Sequence, residues 1–167
     1  MGVSLDTYDR DSGIHPRNKQ LPSQRLAYAG LNVAYGQDQF PANGPFPQAI
    51  DFEATENGIQ CSIVLDQAFN WNPTESGGFY YCCDESVEVC NSNNNPNAWR
   101  LISPGAVSAN GQALSLEIPS CSVAVAYLWE MTPVIGTKAL PIYASDEFEL
   151  PAAPWIKAIP PLEKMKN

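Results

Sequence analysis

Two hydrophobic periods divide the chain. Over residues 22–35, Leu26, Ala27, Gly30, Leu31, Val33 and Ala34 recur at helical spacing; Pro22 suits a first turn and Gly36 the position after a helix end. The pattern predicts one amphipathic helix with a wide apolar face. From residue 50 onward the period falls to two. Ile50-Asp51-Phe52-Glu53 is followed by Ile59, Cys61, Ile63 and Leu65 alternating with polar or small neighbours, then by Phe79-Tyr80-Tyr81-Cys82 and Trp99-Arg100-Leu101-Ile102. Ala113-Leu114-Ser115-Leu116-Glu117-Ile118 and the apolar run over residues 123–129 complete the set. Turn-forming segments separate these runs, among them Glu56-Asn57-Gly58, the asparagine-rich residues 91–97 and Ala109-Asn110-Gly111. Short strands at this spacing predict an antiparallel β-sandwich or jelly roll.

The remaining stretches connect these parts. Residues 2–5 are short and apolar and predict the end of a strand that delivers an acid-rich loop. Residues 37–47, rich in proline and glycine, read as a linker. The proline-rich residues 140–161 are expected to form no ladder of their own. The small residues Ala27, Gly30 and Ala34 ask for close packing, yet the chain offers little for that face to meet. The helix is therefore expected to close a domain whose other elements lie outside this chain: residues 1–36 a C-terminal fragment of that domain, 37–47 the linker, 48–161 the β-sandwich with its proline-rich return, and 162–167 a tail.

A chain of 167 residues buries one core, or one core plus a fragment of another. With 18 acidic and 9 basic residues the net charge is −9, and no Lys/Arg cluster exceeds the short run from Arg17 to Lys19. A phosphate backbone is repelled by such a surface, so no nucleic-acid partner is expected. No run of about 18 apolar residues appears, so no membrane span is expected. Five cysteines, four of them Cys82, Cys83, Cys90 and Cys121, predict disulfides and an oxidising compartment. Adjacent Cys82 and Cys83 on a strand point to opposite faces and take different partners, which leaves Cys61 as a buried thiol. The spacing lacks the Cys-x2-Cys knuckle of a zinc site, so no metal is expected.

The chemistry concentrates at the single histidine. His15 is framed by Asp6, Asp9 and Asp11 before it and by Pro16, Arg17, Asn18 and Lys19 after it. Imidazole moves protons near neutral pH, and a neighbouring carboxylate fixes its tautomer and stabilises its cation. The stretch supplies half of a hydrolytic triad. The residues alone fit better an ordinary loop histidine among solvated turn aspartates.

Asp6-Thr7-Tyr8-Asp9, Ile14-His15-Pro16-Arg17-Asn18-Lys19-Gln20, Arg25-Leu26-Ala27 and Ala34-Tyr35-Gly36 together resemble the last catalytic block of the sialate O-acetylesterases, which belong to the SGNH class of serine esterases. Val125-Ala126-Tyr127-Leu128-Trp129, Leu140-Pro141-Ile142-Tyr143 and Leu150-Pro151-Ala152-Ala153-Pro154 resemble the late motifs of that family in order and spacing. The resemblance implies a mostly β chain: a C-terminal antiparallel β-sandwich or jelly-roll-like domain, preceded by the last loop and helix of an α/β SGNH hydrolase domain.

It further implies hydrolysis of O-acetyl esters on sialic acid or a related acetylated sugar, with His15 as the catalytic base. Relatives place an acid two or three residues before the histidine, where this chain has Gly13 and Ser12. Asp11 is then the expected orienting carboxylate and Asp9 the runner-up. Trp129, Tyr143 and Trp155 are expected to wall the substrate cleft, with packing as their alternative role. The chain shows no Gly-Asp-Ser block and no Gly-x-Ser-x-Gly elbow. The nucleophilic serine is therefore expected upstream, in a Ser-bearing part of the esterase domain that acts as this chain's partner. No cofactor is implied. Location in the secretory pathway, extracellular or lysosomal, is expected, with the signal peptide outside this chain. The rival reading is a non-catalytic, secreted, disulfide-bearing β-sandwich that binds carbohydrate or protein.

Overall fold

The computed structural model describes residues 4–7, 17–72, 78–91, 98–103, 106–128 and 140–165. Helix α1 (Gln20–Tyr35) starts two residues ahead of the sequence expectation, with Pro22 still inside its first turn. It ends at Gly36, whose φ of 64° suits a residue without Cβ. There the Gly36 N–H bonds to the Asn32 carbonyl and the Gln37 N–H to that of Leu31. A short helix α2 (Val87–Cys90) lies within the β region, its N-cap Ser86 side chain accepting from the Val89 N–H.

Ten strands occur among the described residues, all paired antiparallel in three sheets. The first sheet runs in the order β1 (Pro47–Ala54), β2 (Ile59–Leu65), β7 (Ala113–Ile118), β6 (Val107–Asn110). The alternation in β2 buries Ile59, Cys61, Ile63 and Leu65, and β7 buries Leu114, Leu116 and Ile118 beside them. Ile59 stands opposite Ile118, Cys61 opposite Leu116 and Ile63 opposite Leu114. One apolar face results.

The second sheet runs in the order β10 (Trp155–Ala158), β8 (Ala124–Tyr127), β4 (Phe79–Cys82), β5 (Trp99–Leu101). Strand β8 is buried on both faces, as a central strand of small and apolar residues allows. Tyr127 pairs with Phe79 on one side and Trp155 on the other, so three rings form a row across the sheet, with centroids 5.0 and 6.3 Å apart. Each such ring contributes about 1.5–3 kcal/mol by leaving water, and each aromatic pair about 0.5–1.5 kcal/mol more. The row packs with the apolar face of the first sheet in one continuous core. This is the expected sandwich. Strands β3 (Phe69–Trp71) and β9 (Ile142–Ala144) pair as a small third sheet whose Phe69, Ile142 and Tyr143 join the same core.

Two disulfides fasten the far end of β4. Cys82 bonds Cys90 of α2 and Cys83 bonds Cys121, so the neighbouring cysteines do take different partners. Cys61 is a free, buried thiol.

Local expectations fail in residues 4–7 and in the proline-rich return. Ser4 is in no strand and Leu5–Thr7 form a 3-10 turn, where the end of a strand was expected. The proline-rich return does form ladders: β9 and β10 are proline-free runs, and Pro151 itself bridges to Tyr143 of β9. The helix meets the β region through a different stripe from the apolar one. Arg25 and Ala29 are buried, and Tyr28 packs with Phe40 and Phe148, while Leu26 and Val33 stand 62% and 77% exposed.

Candidate functional site

Residues 8–16, which include Asp9, Asp11 and His15, lie outside the described residues, as does Trp129. Both flanks of 8–16 are described. On the N-terminal side, the Thr7 N–H and Oγ1 both donate to the Ser4 carbonyl, at 3.1 and 2.7 Å, closing the 3-10 turn. That turn points the Asp6 side chain inward, where it is 0% exposed. On the C-terminal side, Asn18 Oδ1 accepts from the Gln20 N–H at 3.1 Å as α1 begins. Ser4, Thr7, Asn18, Lys19, Pro22, Ser23 and Leu26 line a hollow of about 350 Å³ between the flanks.

The flanks are joined by a buried ion pair. Arg25, one turn and a half into α1, donates Nη1 to Asp6 Oδ1 at 2.5 Å and Nη2 to Oδ2 at 2.8 Å. Arg25 is 3% exposed. A fork of two parallel N–H donors on one carboxylate is the strongest geometry this pair can adopt. Tyr143 of β9 adds a third bond, its hydroxyl donating to Asp6 Oδ2 at 2.7 Å while accepting from the Leu140 N–H at 3.1 Å. Burial alone pushes the Asp6 carboxyl up; the bonds from Arg25 and Tyr143 and the Arg25 charge outweigh it, and the group is held below its ordinary value. Asp6 is ionised at neutral pH. For Tyr143, burial and the bond to Asp6 push the phenol well above its ordinary value, so it stays a donor.

Both Asp6 oxygens accept from Arg25, and Oδ2 accepts from Tyr143 as well, so Asp6 serves to fasten the turn to α1 and β9. Tyr143 and Trp155 are each 8% exposed. Tyr143 is committed to the Asp6 cluster, and the Trp155 ring stacks on Tyr127 within the core. The Asp6–Arg25–Tyr143 cluster itself was not foreseen in the sequence. Its one available signal is an arginine on a helix beside small residues, whose nearest carboxylates in sequence, Asp38 and Asp11, are 13 and 14 positions away.

Among the described residues no group of three His, Cys, Asp or Glu side chains could hold a metal ion, and no helix is long and apolar enough to cross a membrane.

Fold and site together define an antiparallel β module of three sheets, with a turn and a helix joined to each other by a buried ion pair and to the module through Tyr143. The family described as "Sialate O-acetylesterase C-terminal domain" matches residues 50–159, the span of that module. Sialate O-acetylesterase of Homo sapiens and of Pongo abelii are each 31% identical to this chain over 165 residues, and that of Mus musculus is 32% identical over 167. These matches cover 95% of this chain and so take in most of residues 1–49, ahead of the family's span. The chain spans 28–29% of the length of these relatives. It belongs to the sialate O-acetylesterase C-terminal domain family.

Proposed function

We propose that the chain is the base-bearing C-terminal part of a serine esterase that removes O-acetyl groups from sialic acids. The observation that carries this reading is the extent of the similarity. Relatives named sialate O-acetylesterase match not only the β module but most of the residues ahead of it, where the Ile14-His15-Pro16-Arg17-Asn18-Lys19-Gln20 run stands.

In the proposed reaction a serine of the upstream part attacks the acetyl carbonyl while His15 takes its proton. His15 then returns the proton to the departing sugar hydroxyl. Water, deprotonated by the same imidazole, releases acetate and restores the serine. Asp11 holds the imidazole in the productive tautomer, with Asp9 second in line; Asp6 is already bonded to Arg25 and Tyr143. The two disulfides fit an oxidising compartment, extracellular or lysosomal.

The test is acetate release from an O-acetylated sialoside by this chain joined to its Ser-bearing upstream part. His15→Ala is expected to lose about 10²- to 10⁴-fold in kcat. Asp11→Asn should cost more than Asp9→Asn. Turnover in His15→Ala equal to wild type would sink the assignment, and an inactive wild type would favour a sugar- or protein-binding module instead.

A further inference from the structure

Helix α1 has two sides, and the β module takes one of them. Arg25 and Ala29 are buried on that side, Tyr28 stacks on Phe40 at 5.6 Å and meets Phe148 edge-on at 5.1 Å, and Asn32 Nδ2 donates to the Phe40 carbonyl at 2.7 Å. The segment after the helix is fastened too. The Phe46 N–H donates to Asp66 Oδ1 at 2.9 Å and the Asp66 N–H to the Phe46 carbonyl at 3.0 Å.

The other side is bare. Leu26 and Val33, seven residues and so two turns apart on one side, stand exposed, and Gly30 between them has nothing within 4 Å of where a Cβ would sit. Arg25 is the single charged residue among the sixteen of α1, and it is spent on the inner side. A helix side that meets water, in a chain of net charge −9, is ordinarily charged or polar. An uncharged apolar one marks a contact surface.

Its size decides what covers it. A helix of 16 residues is about 24 Å long and about 10 Å wide. One side therefore offers a few hundred Å², against roughly 800 Å² per partner in a stable free-standing interface. A second copy or a separate protein gains too little there. A segment of the same polypeptide needs less area, because covalent attachment holds it at an effective concentration of about millimolar. The chain spans 28–29% of the length of its relatives and its family is a C-terminal domain, which puts the rest of their length ahead of the matched span.

We propose that the outward side of α1, built on Leu26, Gly30 and Val33, is the surface on which the upstream part of the polypeptide seats. The helix is then clasped between that part and the β module and sets the position of one against the other. The partner surface is apolar and uncharged, and Gly30 lets it approach the helix backbone. The proposal rests on the reading that an upstream part exists; it does not depend on which residue is the base.

The experiment compares amide exchange of residues 20–35 in the 167-residue chain and in the same chain joined to its upstream part. Joining is expected to slow exchange of α1 by at least about tenfold. Leu26→Glu combined with Val33→Lys, two good helix formers at exposed positions, should leave the melting temperature of the 167-residue chain within about 3 °C. In the joined protein the same pair should return α1 exchange to the value in the shorter chain. Gly30→Leu, which the bare helix has room for, should do so by bulk alone. Equal α1 exchange in the two wild-type proteins would overturn the proposal, and so would joined variants that stay as protected as wild type. Dimerisation of the shorter chain at micromolar concentration, abolished by Leu26→Glu, would overturn it by making a second copy the occupant. Acetate release from an O-acetylated sialoside separates the two readings: a joined wild type that protects α1 yet releases no acetate removes the esterase and leaves the docking.

Discussion

Replacing Arg25 with methionine keeps most of the side chain's length but strips the charge partner from a carboxylate that water does not reach. Asp6 is 0% and Arg25 3% exposed, so neither solvent nor salt softens the loss as it does for a surface pair. Two charge-assisted bonds go at once, leaving Tyr143 as the side-chain donor to Asp6. Removing one partner of a buried pair costs about 3–5 kcal/mol. For a chain of this size that corresponds to a fall of about 6–20 °C in melting temperature. The pH dependence follows from the Asp6 carboxyl. In the native protein its folded value is depressed, against the push of burial, by Arg25 and Tyr143, so its contribution to stability is full above the unfolded carboxylate value and is lost as pH falls through the folded one. In Arg25→Met burial acts with far less opposition and the folded value rises, so the variant is relieved on acidification as the neutral acid forms. The gap between the two proteins is therefore widest near pH 7 and narrower at about pH 4. Urea unfolding followed by circular dichroism at both pH values, with disulfides intact, measures it. A loss under about 1 kcal/mol that does not change with pH is what a solvent-screened pair gives, and would refute the buried clamp.

The remaining expectations concern the β module. Removing the Cys83–Cys121 bridge, which spans 38 residues, should cost about 4 kcal/mol against about 2.5 kcal/mol for Cys82–Cys90, which spans 8; denaturant midpoints of the two double-serine variants rank them, and the reverse order would contradict the loop-entropy account. Without reductant, alkylation at about pH 8 should spare the native chain, because burial and then the Asp51 charge push the Cys61 thiol up to about 12. Gly44→Ala sets a Cβ 2.1 Å from the Pro151 carbonyl oxygen and should destabilise by at least about 1–3 kcal/mol. Gly30→Ala, in mid-helix with nothing within 4 Å, should stabilise by about 0.5–1 kcal/mol; thermal melts of the pair that move in the same direction would show the packing to be misassigned.

The parts of the fold that were legible are those where one face of an element meets the core and the other meets water. Strand β2 announces itself because Ile59, Cys61, Ile63 and Leu65 alternate with outward-facing neighbours, and β7 repeats the signal. Strands β3 and β9 span only three residues each, too few for a period to register, and prolines on either side of β10 disguised it as a loop. Strand β6 hid for another reason: Ala109-Asn110-Gly111 reads as a turn, yet the turn begins only at Gly111, where φ is +64°, and Asn110 still pairs with Ala113. On α1 the apolar stripe is not the face that meets the β region: Leu26 and Val33 are exposed, whereas Arg25 looks solvent-facing and is buried, because its partner Asp6 lies 19 residues away and its cost is met only by a bond that periodicity does not encode. Asp6 likewise reads as one of three acids around His15, and only its partners show that it serves the scaffold.

The Asp6–Tyr143 bond joins residues 137 positions apart. During synthesis at about 5–20 residues per second, Asp6 leaves the ribosome roughly 7–27 s before the tyrosine that completes its coordination exists. Arg25 arrives early and can hold the carboxylate alone in the interim; the finished arrangement waits until β9 is made. A nascent or prematurely terminated polypeptide therefore presents Asp6 without the Tyr143 bond, and the three-residue cluster is completed only when β9 folds.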